Sequence, residues 1–201
     1  MTLNIPKCES LLMTRKHKPA EFRPLNIKKT PIPLKPSLKY LGVVLDKSAN
    51  LIPHITHTVK KAFLAYQNLY TILSPTSPLT LENKTLIYKQ IIRPTIMYAA
   101  PIFCGSSDHQ LNRVQIMQNK ILRCITKSSK RTRLTLMHER TNTETVKEHV
   151  FKLAQNFYTT LVFNSPLTEN ITQTRHDPQT YIITKPLYHR LPLYYQPPLL
   201  P

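Results

Sequence analysis

Five cations carry the strongest chemical signal in this sequence: Lys60, Lys61, Arg113, Lys120 and Arg123. They fall on the polar side of segments whose apolar residues recur at helical spacing. Lysine and arginine placed that way contact phosphate, an interaction set by charge and not by base sequence. If they line one surface, that surface holds a polyanion and its grip weakens with salt. Two other groupings invite chemistry and do not sustain it. His54 and His57 lie a helical turn apart, but two ligands do not complete a tetrahedral zinc site and no cysteine is near in sequence. Cys104 precedes His109, yet nothing close by lowers a thiol pKa, so Cys104 reads as a small buried hydrophobe. The sequence offers no catalytic residue and no metal site of its own.

Composition agrees with a polyanionic partner. Lysine and arginine number 28 against 10 acidic residues, a net charge of +18 with a pI near 10.0. Nucleic acid is the commonest partner of such a balance, and a solvated basic surface is the plainer alternative. The 201 residues suffice for one domain or slightly more. Three cysteines, an odd number without a CxxC pair, point to a reducing compartment, nucleus or cytoplasm, without a disulfide framework. Met1-Thr2-Leu3-Asn4 is not a signal peptide, and no apolar stretch approaches a membrane span, so no membrane partner is expected.

The elements that position these residues follow from periodicity. Residues 1–47 predict a small antiparallel sheet: a short strand at Ser10–Thr14, a basic turn at Arg15–Pro19, an extended piece at Pro24–Lys28 demoted by prolines, and a strand over Leu38–Asp46. Gly42, one of two glycines, marks a bulge within that last strand. A strand so near Met1 has no neighbour before it and suggests a truncated start. Helices follow over 48–163. The first runs from Pro53 to Ser74-Pro75 with Ile55, Val59, Ala62, Phe63, Tyr66, Leu69, Tyr70 and Leu73 on its apolar face. The second starts near Ser77-Pro78 or Thr80, and Pro94 must kink or split it. The third opens at Ser106 or Ser107 and buries Leu111, Val114, Met117, Ile121, Leu122 and Ile125. Ser128–Arg133 is a basic loop. A fourth helix starts near Thr143, with Val146, Val150, Leu153, Ala154, Phe157 and Leu161 as its core face. From 164 to 201 prolines interrupt every period, which predicts an extended, disordered tail. The class is therefore α+β, mostly α.

In this order, five stretches resemble the C-terminal part of a non-LTR, jockey-type retrotransposon reverse transcriptase. They are Asn4-Ile5-Pro6-Lys7-Cys8-Glu9, Lys39-Tyr40-Leu41-Gly42-Val43-Val44-Leu45-Asp46, His54-Ile55, Leu81–Tyr98 with Tyr88-Lys89 and Ile92-Arg93-Pro94, and Val114–Ile125 with Gln118-Asn119-Lys120. The match spans roughly residues 3 to 150. The resemblance implies a palm edge around Lys7, a primer-grip-like turn at Lys39, Tyr40, Leu41 and Gly42, and a thumb-like bundle of three to four helices. It implies a template–primer duplex of RNA and DNA as partner, gripped by its backbone.

The departures limit that implication. Polymerisation uses paired carboxylates to hold two metal ions. This chain has Asp46, Asp108 and Asp177, widely spaced, and no Asp-Asp. Mg2+ is thus expected only for the intact polymerase, and this chain alone is expected to be inactive. The alternative is a stand-alone basic nucleic-acid-binding module. A third reading assigns partner docking to the tail, where Tyr181, Tyr188, Tyr194 and Tyr195 sit among prolines.

Overall fold

The computed structural model describes residues 4–14 and 24–157. The basic turn at 15–19, Leu161 and the tail from 164 lie outside the described residues. The chain divides into two compact units between Lys60 and Lys61.

In the first unit a 3-10 turn, Ile5–Lys7, forms with Pro6 in its opening positions. Strands β1 (Asn26–Ile27) and β2 (Thr30–Pro31) pair antiparallel across Lys28 and Lys29, both at positive φ. The predicted strand at Ser10–Thr14 does not form. Ser10 makes only an isolated parallel bridge with Leu34: its N–H donates to Pro33 O (3.0 Å), and Lys35 N–H donates to Ser10 O (2.8 Å). Pro33 and Pro36 on the facing segment have no N–H, so a longer ladder lacks donors.

The stretch Leu38–Asp46 is also corrected. It is not one bulged strand but a hairpin of β3 (Ser37–Tyr40) and β4 (Val43–Asp46), with Tyr40 opposite Val43. Leu41 and Gly42 form the turn at φ 45° and 82°. Two successive positive-φ residues give the twist that matches two antiparallel strands. Gly42 adopts that region freely. Leu41 does so at a cost of about 1 kcal/mol.

Helix α1 (Ile52–Asn68) ends before the predicted stop. Leu69 breaks it, and a separate turn, α2 (Tyr70–Leu73), carries Leu73 fully inside while Tyr70 and Ile72 stay exposed. In the second unit, α3 (Leu81–Ile87) starts at Thr80, whose Oγ1 accepts the Asn83 N–H at 3.3 Å. Buried Lys84 closes the loop before it, its Nζ donating to the carbonyls of Ser74 (2.7 Å) and Ser77 (3.2 Å). Pro94 leaves the second helix continuous but interrupts its α register. A wider π turn, Tyr88–Ile92, precedes α4 (Arg93–Ile96). Proline has no N–H for the usual bond and crowds the preceding turn, and one wide turn absorbs both effects.

After α5 (Ala100–Phe103) comes the central helix, α6 (Asp108–Ile125), where Gln110 Oε1 accepts the Ser107 N–H at 3.1 Å. All six of its expected core residues are buried. Helix α7 (Leu134–Arg140) was not predicted, and α8 (Val146–Phe157) buries Val146, Val150 and Ala154. Phe157, placed on the core face by sequence, is exposed. Helices α3, α7 and α8 all pack against α6, and α8 also packs on α5. Among the described residues the fold is mostly helical, and the strands form two separate antiparallel pairs instead of one small sheet.

Candidate nucleic-acid interface

In the first unit, the hairpin tip presents Lys39, Tyr40 and Leu41 to solvent, with Tyr40 63% and Leu41 76% exposed. A large aliphatic side chain that exposed is unusual at a turn that already costs energy to form. The tip stands on a firm base. The buried Asp46 carboxylate accepts the N–H of Ser48 on Oδ2 (3.1 Å) and that of Leu51 on Oδ1 (3.0 Å). Both oxygens thus serve the loop into α1. His54, fully buried, accepts the Val44 N–H at Nδ1 (3.4 Å), so its imidazole braces β4. Lys7 and Lys60 are exposed in the same unit.

In the second unit, Arg113, Ile116, Lys120 and Arg123 recur at spacings of three and four along α6, which aligns them on one stripe, and Lys127 follows past the helix end at φ 55°. Lys61 is exposed on α1. A groove of about 910 Å³ runs beside the stripe. Its lining includes four cations, Lys120, Arg123, Lys127 and Lys130, the rings of Tyr66 and Tyr70, and no carboxylate. Lys61 and Arg113 are not part of that lining. Sequence reasoning had not assigned Tyr70, Lys127 or Lys130 to the site. The basic run from Lys127 to Arg133 is the available signal for two of them.

The groove wall is held by ring contacts. Lys120 Nζ sits 4.5 Å from the Phe63 ring centre and 6.0 Å from that of Tyr66. An ammonium over an aromatic face is held by the ring quadrupole. Tyr66 meets Tyr70 edge to face, at 5.9 Å and 85°. Burial, with a hydrogen bond to Cys124, pushes the Tyr66 phenol well above its ordinary range. Arg123 is half-buried, and its Nε meets no acceptor. Elsewhere in the unit, burial pushes the Cys104 thiol up to about 11, and Cys104 Sγ donates to Pro101 O at 3.3 Å. That environment suits a buried small side chain and not a nucleophile.

Behind α6 lies a polar knot centred on Glu144. Its carboxylate meets Lys152 Nζ (3.0 Å), His149 Nδ1 (2.8 Å) and Arg93 (3.2 Å). Hydrogen bonds from Lys152 and His149, with the charge of Arg93, pull the Glu144 carboxyl down to about 2. This knot ties Arg93, at the start of α4, to the segment entering α8.

The chain is similar in sequence to known proteins. The chain is 31% identical over 156 residues to a probable RNA-directed DNA polymerase from transposon X-element of Drosophila melanogaster. The aligned part is 78% of this chain and 17% of that relative. It is 32% identical over 112 residues to the corresponding protein of transposon BS, also from Drosophila melanogaster, covering 56% of the chain and 12% of the relative. A third relative is the RNA-directed DNA polymerase from mobile element jockey of Drosophila funebris, at 34% over 87 residues, 43% of this chain and 10% of the relative. This chain is homologous to jockey-type RNA-directed DNA polymerases. It spans less than a fifth of the length of these relatives. No family model matches the chain, and no solved structure does. The jockey-type relationship accords with the motif order of the sequence, and no helix among the described residues is long and apolar enough to cross a membrane.

Proposed function

We propose that this chain is the portion of a jockey-type RNA-directed DNA polymerase that holds the template–primer duplex by its sugar–phosphate backbone. The observation that carries the reading is the α6 stripe of Arg113, Lys120 and Arg123, which meets a groove lined also by Lys127 and Lys130 and without a carboxylate. A duplex presents phosphates outward, and cations at helical intervals match that display. The hairpin tip supplies a second contact, where Gly42, lacking a side chain, lets the main chain approach the primer closely.

Polymer synthesis itself belongs elsewhere in the polymerase. Among the described residues no three histidine, cysteine or carboxylate side chains cluster in a way that fits a metal ion. Asp46 has both oxygens engaged by backbone N–H groups.

The test is fluorescence anisotropy of a labelled RNA–DNA template–primer over a salt series. Affinity should fall as salt rises. Arg123→Gln with Lys127→Gln should reduce the log–log slope by about 1 for each phosphate that the variant leaves unneutralised. Binding that ignores salt overturns the electrostatic reading. Metal-dependent primer extension by the purified chain overturns the division of labour.

A further inference from the structure

The groove beside α6 carries more apolar surface than a duplex backbone can use. Tyr70 is 50% and Ile116 60% exposed, and with Pro75 they form part of its lining. Arg123, Lys127 and Lys130 flank them. We infer that this groove takes an unpaired stretch of polynucleotide, one base lying on Tyr70 and Ile116 and its phosphates on Arg123, Lys127 and Lys130. The inference rests on the proposed nucleic-acid role of the chain and specifies which form of nucleic acid the groove accepts.

Three observations carry it. In a duplex the base faces are stacked on one another, so a groove meeting its backbone touches sugar and phosphate and leaves Tyr70 and Ile116 wet. An unpaired base has a free apolar face, and an aromatic ring beside cations is the platform that single strands use. Second, the Tyr70 ring is already positioned by its edge-on contact with Tyr66, so little side-chain freedom is lost on stacking. Third, the groove, at about 910 Å³, has room for a nucleotide, and the charged side chains that line it are all cationic.

The experiment uses the full chain and three labelled probes of equal length: oligothymidine, oligouridine and a blunt RNA–DNA duplex. Tyr70→Ala should weaken both single strands by about tenfold and leave the duplex within about twofold. Tyr70→Phe, which keeps the ring, should bind single strands like the parent and guards against a folding defect. Arg123→Gln should weaken all three probes. Similar affinity for the two single strands assigns the site to unpaired polynucleotide of either sugar, and a preference identifies DNA or RNA as its source. The inference is overturned if Tyr70→Ala leaves the single strands unaffected or weakens the duplex equally. Absence of salt-sensitive binding to any of the three probes overturns the broader nucleic-acid role together with it, whereas duplex binding without single-strand binding overturns the inference alone.

Discussion

Gln118 is fully buried in α6 and is held at both ends of its amide. Its Oε1 accepts the Tyr88 hydroxyl at 2.7 Å, and its Nε2 donates to the Glu144 carbonyl at 2.8 Å. A buried amide is tolerable only when paired, because unpaired polar atoms keep the cost of leaving water. Burial also raises the Tyr88 phenol far above its ordinary pKa, so the hydroxyl remains a donor at any ordinary pH. Tyr88→Phe removes that donor with almost no change in shape. The expected loss is about 1–3 kcal/mol of unfolding free energy, read from urea denaturation. An unchanged midpoint would show that the Gln118 oxygen finds another donor.

At the scale of elements, the hairpin makes the sharpest prediction. Gly42 sits at φ 82°, where a β-branched side chain clashes with its own backbone. Gly42→Val should destabilise the fold by about 1–3 kcal/mol, whereas Leu41→Gly should be neutral or stabilising because it relieves a left-handed leucine. Thermal unfolding of the two variants checks the opposite signs. The same turn shows where sequence reasoning stopped. Leu-Gly is not a turn dipeptide in the way Asn-Gly is, so alternation of strand residues ran straight through it. By contrast the apolar face of α6 was legible, since six apolar residues at helical spacing leave one possible inner face, while the burial of Gln118 and Asn119 beside them gave no such signal. Pro94 announced an interruption, and only the wide turn that absorbs it was hidden. Helix α7 has a single buried residue, Met137, and so gives almost no periodic signal. In the candidate site, the cations of α6 could be read from sequence. The groove could not, because Tyr70 comes from a different element and reaches it only after the break at Leu69.

For the molecule as a whole, the Glu144 knot makes stability depend on pH. The Glu144 carboxyl titrates near 2 in the folded state against an ordinary 4.5. Its contribution is present above 4.5 and is lost as pH falls from there toward 2. His149 is lowered from 6.5, chiefly by burial, against the pull of Glu144. A folded state that disfavours the protonated imidazole loses stability as pH drops below the ordinary histidine range. Both effects run the same way, so the melting temperature should fall in two legs on acidification. Glu144→Gln should flatten the lower leg, which scanning calorimetry across pH would record. The Glu144 side chain is 38% exposed, so solvent screening limits its share to about 1 kcal/mol or less.

Lys84 differs from the chain's exposed lysines in facing inward, only 2% exposed, with its ammonium on the carbonyls of Ser74 and Ser77. An amine sealed in this way is out of reach of acylating reagents while the loop between α2 and α3 stays shut. Surface lysines will label at once; Lys84 will label only during transient opening of that loop. Followed by mass spectrometry, the modification of this one side chain becomes a clock for local breathing, readable without unfolding the rest of the protein.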